Sequence, residues 1–324
     1  MINSKQNKSN GGAGMKKMQL FILMSLISIL IVGCSSKGQN NNEEYFIEAK
    51  EETINHIHGI GYLGDKKELF LATHHGLLRF SEGKWYKTSR NNHDYMGFQA
   101  TDEQFFSSGH PELGSDLKNP LGLIKSKDQG DSMEKIAFYG KIDFHYLAAG
   151  YKSHTLYVFN EQENSLKIGL HYSVDEGQTW ETGSMKGISA NSIGNISTHP
   201  TVSENVAIST NKGLFISSNF GNEFKLLTSS SPVTTVEYQE ESLIYFILEN
   251  NETKLVKYDL TNETTDALSL PDGISSKNPI MFISTNPENR NEITVVSLSN
   301  DIYQSNDTGA SWKLIAEEGN VKGE

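Results

Sequence analysis

One cysteine in 324 residues, Cys34, excludes a disulfide framework, a cysteine-based zinc site and a CxxC redox centre. Arginine is almost as scarce, with Arg79, Arg90 and Arg290 the full set. Lysine and arginine together number 28 against 40 acids, a formal charge of −12. The clustered cations that grip a phosphate backbone are therefore missing, and nucleic acid is excluded as a partner. Proline is rare at 7, while glycine (28) and aromatics (15 Phe, 13 Tyr, 3 Trp) are plentiful, which suits many short strands and tight turns. Long apolar runs are lacking too. The stretch from Leu20 to Val32 has thirteen residues interrupted only by serines. That is too short to cross a hydrocarbon core of about 30 Å as a permanent helix.

The same stretch reads as an address. Met15-Lys16-Lys17 supplies a basic start, Leu20 to Val32 the apolar region of a signal peptide, and Ile31-Val32-Gly33-Cys34 the end. This ending resembles the bacterial lipobox, which implies that Cys34 is acylated and becomes the mature N-terminus. Residues 1–33 are then the lipoprotein signal peptide, with translation expected from Met15, and their removal takes the charge to −16. Residues 34–53 follow as a lipidated cysteine and polar tether, beginning Ser35-Ser36-Lys37-Gly38-Gln39-Asn40, of the composition that stays flexible. The expected location is the extracytoplasmic face of a cell membrane, with the lipid as anchor.

A period of about 45 residues runs through the rest. One phrase recurs in Gly76–Phe80, Gly122–Ser126, Gly169–Ser173, Gly213–Ser217, Lys254–Tyr258 and Asp301–Ser305, with last residues 46, 47, 44, 41 and 47 apart. After most copies come a turn and a second short apolar segment carrying Trp85, Met133, Trp180, Phe224 or Trp312. The alternation is that of strands, four to a period. Four strands per 45 residues make a propeller blade, so residues 54–317 are expected to form one all-β, six-bladed β-propeller with four antiparallel strands per blade. Residues 318–324 remain as a C-terminal tail.

Ser173-Val-Asp175-Glu-Gly177-Gln-Thr179-Trp180 and Ser305-Asn-Asp307-Thr-Gly309-Ala-Ser311-Trp312 share the pattern Ser-x-Asp-x-Gly-x-Thr/Ser-Trp. It resembles the Asp-box, or BNR repeat, of sialidases and sortilin-like propellers. Ser126-Lys-Asp128-Gln-Gly130 and Ser217-Ser-Asn219-Phe-Gly221 are worn versions. The resemblance implies a structural role for Asp128, Asp175, Gly177, Trp180, Asp307, Gly309 and Trp312. The carboxylate would take backbone N–H groups, glycine would accept positive φ, and Trp180 and Trp312 would be buried between blades.

Sialidase chemistry does not follow. Those enzymes clamp a substrate carboxylate between three arginines. Here Arg79 falls in a third strand and Arg290 in the hairpin 286–291, expected on the opposite face. Another glycosidase would need two carboxylates about 5–9.5 Å apart. Asp94, Asp143 and Glu237, expected at the starts of inner strands, are the candidates.

Histidines are distributed less evenly. His56 and His58 are two apart, hence on one face of a strand and roughly 7 Å apart. His74, His75 and His110 lie between second and third strands of blades one and two, and His145 enters blade three beside Asp143. In a propeller these loops and strand starts surround one mouth of the channel. Convergent imidazoles suit one divalent transition metal, with Asp94, Asp143, Tyr95 or Met96 as further ligands. His154, His171 and His199 are read as structural or surface residues. In His56-Ile-His58-Gly, Thr73-His-His75-Gly, Asp94-Tyr-Met96-Gly-Phe98, Ser108-Gly-His110-Pro and Asp143-Phe-His145, the chain resembles bacterial Asp-box lipoproteins filed as glycosyl hydrolases. That resemblance implies the propeller and the surface location and transfers no catalytic residue. The leading expectation is a lipid-anchored module with a histidine-lined site for a metal or other ligand. A hydrolase of extracellular glycans and a scaffold for another surface protein are the alternatives.

Overall fold

Each period pairs as a four-stranded antiparallel meander, running from an inner strand on the axis to an outer strand at the rim. The computed structural model describes residues 44–64 and 68–322. The inner strands are Ile57–Leu63, Asp94–Ala100, Tyr146–Ala149, Ile193–Thr198, Val233–Tyr238 and Ile280–Thr285. Their blades end outside at Lys84–Thr88, Glu134–Ala137, Glu181–Thr182, Lys225–Leu226, Thr264–Leu268 and Lys313–Ala316. The fold is the expected all-β, six-bladed propeller, with no α-helix among the described residues. The signal peptide, Cys34 and the tether up to residue 43 lie outside those residues.

Second strands such as Glu68–Thr73, Val206–Thr210 and Ile293–Ser297 are buried on both faces, which is why they are mostly apolar with small Ser and Thr residues between. Six apolar clusters fill the six joints between neighbouring blades. Phe70, Ala72 and Leu77 of blade one, for example, meet Tyr95, Phe98 and Phe105 of blade two. The ring closes where Val296, Ile302 and Ala316 of blade six meet Ile57, Leu69 and Leu71 of blade one. At the axis, glycine lets inner strands touch. A Cβ on Gly97 (φ +53°) would sit 2.5 Å from the Phe144 carbonyl, and one on Gly61 would sit 2.6 Å from the Ala100 Cβ.

Two segments depart from expectation. The last part of the residues read as tether is paired: Phe46–Glu48 adds a fifth strand to blade one, against Lys84–Thr88. Glu51–Thr53 pairs with Asn320–Lys322, so part of the C-terminal tail is a strand as well. Both ends of the ring are thereby tied, as Ile54 N donates to Gly319 O at 2.8 Å. Polar composition hid these strands because they sit at an edge and need no apolar alternation.

The four Ser-x-Asp/Asn-x-Gly hairpins share one geometry, worn copies included. The serine Oγ accepts from the glycine N–H at 2.8, 2.7, 3.1 and 2.8 Å in blades two, three, four and six. It donates to Asp128, Asp175, Asn219 or Asp307. Residues 129, 176, 220 and 308 and the glycine after each all have positive φ. Hydrogen bonds from Thr179 N and Oγ1 and from Ser173 hold the Asp175 carboxyl down to about 2. Ser311 and Ser305 do the same for Asp307. Trp180 and Trp312 are half-buried and not enclosed as expected. Each caps the outer end of a blade joint, with Nε1 donating to Gly177 O (3.1 Å) or Ser269 O (2.9 Å). Trp85, which no intact motif marks, is the tryptophan that is 1% exposed.

Candidate functional site

The channel holds a cavity of about 640 Å³. At one end of the channel the strand starts and the turns after second strands converge. His58 is second in Ile57–Leu63, Asp94 opens Asp94–Ala100, and His74 sits in the two-residue turn between Glu68–Thr73 and Gly76–Ser81. His58 Nε2 is 3.2 Å from His74 Nδ1 and 3.2 Å from Asp94 Oδ1, and His74 Nδ1 is 3.0 Å from Asp94 Oδ2. Asp94 Oδ1 is buried without a hydrogen bond from any described residue. His56, exposed and just ahead of the strand, stacks on His74 with ring centres 5.2 Å apart and lies 4.7 Å from the His58 ring. Burial lowers the His58 ring to about 4; the Asp94 charge opposes this, while His74, His56 and His145 reinforce it. The ring is thus neutral at physiological pH, the form that ligates metals.

A second group lies beside the first. Asp143, just ahead of the inner strand of blade three, has Oδ2 3.2 Å from His110 Nε2 and 3.4 Å from His145 Nε2. His145 Nδ1 is 3.2 Å from Glu161 Oε2. Glu161 was not anticipated. It follows the second strand of blade three, Leu156–Asn160, as His74 follows that of blade one, so aligning the periods would have found it. The Asn160 amide pins its loop by donating to Leu166 O (2.9 Å) and Lys167 O (3.1 Å).

Other expected residues lie apart. Tyr95 is 0% exposed in the joint between blades one and two, and its hydroxyl donates to Asn91 O at 3.2 Å. As first residue after Asp94 it faces the opposite side of the strand, away from the channel. Met96, two residues on from Asp94, does line the channel. His75 is exposed and outside both groups, and its backbone N–H donates to Thr73 Oγ1 at 3.1 Å. Glu237 lies near the end of Val233–Tyr238 and not at its start. There it accepts from Thr285 N at 2.5 Å and Thr285 Oγ1 at 2.6 Å, while burial pushes its carboxyl up against those bonds. The arginines do not converge: Arg79 meets Glu68, Arg90 meets Asp131, and Arg290 lines the channel wall. His171 and His199 are buried, with Nε2 directed at Lys167 O (2.8 Å) and Glu240 O (3.0 Å). His154 joins Asp102 (2.7 Å) and Glu176 (3.0 Å), bridging blades two and three.

Ligand atoms about 2.0–2.1 Å from a first-row ion are about 2.9–3.4 Å from one another in octahedral or tetrahedral sets. The contacts among His58, His74 and Asp94 fall in that window. Two imidazoles and one carboxylate on one side of an ion leave positions open toward solvent, where a water or a ligand oxygen can bind and be polarised.

No protein-family model matches the sequence, and no curated protein matches it. Solved structures share its fold. A GH74 enzyme of Niastella koreensis superposes with a TM-score of 0.54 at 15% identity, over 84% of this chain and 47% of its own. The GH74 xyloglucanase of Xanthomonas campestris gives 0.51 at 11%, over 82% and 46%. The extracellular domain of a one-component system from B. thetaiotaomicron gives 0.51 at 14%, over 85% and 35%. The chain spans less than half the length of each of these proteins. What it is similar to, at such identities, is their β-propeller fold.

Proposed function

We propose that the protein is a lipid-anchored, extracytoplasmic propeller that binds a divalent transition metal at the mouth formed by blades one to three, with His58, His74 and Asp94 as ligands. The observation that carries this is the set of contacts at 3.0–3.2 Å among two ring nitrogens and the Asp94 carboxylate. Asp94 Oδ1 supports it: it is buried with no hydrogen bond and with the His58 ring nitrogen 3.2 Å away, and a carboxylate oxygen so placed is costly unless a cation meets it. Zinc is the convenient probe. A ligand that binds only the folded state stabilises it, by about 2.7 kcal/mol at a hundredfold excess over its dissociation constant. Zn²⁺ should therefore raise the melting temperature at pH 7.5, and Asp94→Asn or His74→Ala should remove most of that rise. His75→Ala should keep it. An equal rise in wild type and Asp94→Asn would overturn the assignment.

Glycan hydrolysis is the second reading, favoured by the fold shared with the GH74 enzymes and by two carboxylates, Asp94 and Asp143, at one mouth. It needs one of the pair to hold a proton as general acid. Their ion-pair partners among the described residues are histidines, and no apolar pocket encloses either carboxyl as a general acid requires. Glu237, the carboxyl that burial pushes up, is engaged by Thr285 elsewhere in the channel. Cleavage of a glycan by metal-free protein, lost in Asp143→Asn, would establish this reading in place of the first.

A further inference from the structure

We infer that the end of the channel opposite the histidines binds a small carboxylate ligand between Lys152 and Arg290. This goes beyond the metal-binding reading and does not depend on it. The placement follows from the topology. His58 and Asp94 sit where inner strands begin, and the turns that follow inner strands lie at the other end. Lys152 is in the turn after Tyr146–Ala149 of blade three, and Arg290 in the turn after Ile280–Thr285 of blade six. Blades three and six are three steps apart in a ring of six, so these turns oppose each other across the axis. Both residues line the cavity, and both are exposed to solvent.

Arg290 is the exception among the three arginines. Arg79 pairs with Glu68 and lies over the rings of Phe46 and Tyr86, at 4.6 and 4.9 Å. Arg90 pairs with Asp131 and lies 5.0 Å over Tyr45. Among the described residues the Arg290 guanidinium meets neither a carboxylate nor a ring, and the Lys152 ammonium has no ion pair. In a chain with 40 acids against 28 bases, two cations left unpaired on opposite sides of one channel are not what composition predicts.

The acids lining this end are mostly engaged. Glu240 accepts from Thr201 Oγ1 at 3.0 Å and stands 3.9 Å from His199 Nε2. Glu237 accepts from Thr285 and Gln239, and burial pushes its carboxyl toward the neutral form. Glu288, exposed in the Arg290 hairpin, is the lining acid without a partner among the described residues. A planar guanidinium takes a carboxylate through two parallel N–H bonds, and an ammonium adds a point charge from the facing side. Channel walls of low dielectric concentrate the field of such charges. A cavity of about 640 Å³ is also of the size that small-molecule sites have.

Ligand-observed saturation-transfer NMR tests this on the full chain in detergent, stripped of metal with chelator so that the outcome is independent of the histidine site. Glucuronate, glucose and glutarate are the probes: glucose lacks the carboxylate of glucuronate, and glutarate lacks its ring. Wild type is expected to bind glucuronate, glutarate or both, and not glucose; which of the two acids binds tells a sugar acid from an aliphatic one. Affinity should fall about tenfold in Arg290→Gln and in Lys152→Gln, the loss of one charged hydrogen-bond donor each. It should hold in Lys313→Gln, on the outer strand of blade six, and hold or rise in Glu288→Gln. The substituted side chains are exposed, so all four variants should melt with wild type. Absence of saturation transfer to both acids, transfer to glucose as strong as to glucuronate, or an affinity unchanged in Arg290→Gln or Lys152→Gln would overturn the site.

Discussion

Single side chains that the repeat does not predict carry much of the electrostatics. His154 was legible only as a residue away from the histidine mouth. In the fold it is held between Asp102 and Glu176, with Glu176 also paired to Lys125 at 2.7 Å. Burial lowers the His154 ring, but hydrogen bonds to the two carboxylates outweigh burial and raise it above the ordinary value. A raised histidine stabilises the fold fully below about pH 6.5 and ceases to as pH rises through its folded-state value. The stability lost in His154→Gln should accordingly be largest near pH 6 and shrink toward pH 9. Denaturant titrations in the presence of chelator measure this, and a loss that grows with pH would contradict it. The tryptophans make a parallel case. Trp85→Ala should cost about 3–5 kcal/mol as a fully buried aromatic, whereas half-buried Trp180 should cost roughly half as much. Chemical unfolding would contradict the burial pattern if Trp180→Ala proved the costlier. A motif singled out Trp180, but the fully buried Trp85 lies in a blade that has lost the motif, where no pattern points to it.

At the level of elements, strands and their order were legible because alternation and turn residues report them directly. Worn hairpins were legible from the Ser-x-Asp/Asn-x-Gly they keep and from their spacing, and their hydrogen bonds are those of the complete copies. Ser217 Oγ receives the Gly221 N–H at 3.1 Å, as Ser173 Oγ receives that of Gly177 at 2.7 Å. Removing either hydroxyl leaves a buried N–H unpaired, which costs about 1–3 kcal/mol. Ser217→Ala and Ser173→Ala should therefore destabilise comparably in urea. A silent Ser217→Ala beside a costly Ser173→Ala would mean that the degenerate copy is held by other contacts. The strands Phe46–Glu48, Glu51–Thr53 and Asn320–Lys322 escaped notice for a physical reason. Edge strands satisfy their backbone with one neighbour and bury little, so polar residues serve and composition resembles a tether.

For the molecule as a whole, the ring and the site have the same origin. Equivalent positions in successive blades fall around one mouth, which is how His58, His74, Asp94, His110, Asp143 and His145 could be grouped from the sequence. What the sequence did not separate was which neighbours on a strand face inward: Tyr95 and Met96 are adjacent, and one turns to the core while the other lines the channel. Glu161 was missed because it lies in a polar loop, where an acid is unremarked. Anchoring belongs to this scale too. Cys34→Ala should block palmitate incorporation and free the protein from the membrane fraction; equal labelling of wild type and variant would contradict the lipid anchor. The central claim is that the histidine mouth is a metal site, and anomalous diffraction at the zinc edge from Zn²⁺-loaded crystals tests it most directly. The account predicts a strong peak about 2.0–2.1 Å from His58 Nε2, His74 Nδ1 and an Asp94 oxygen. Peaks confined to other surface residues, with the three side chains bonded only to one another, would contradict it.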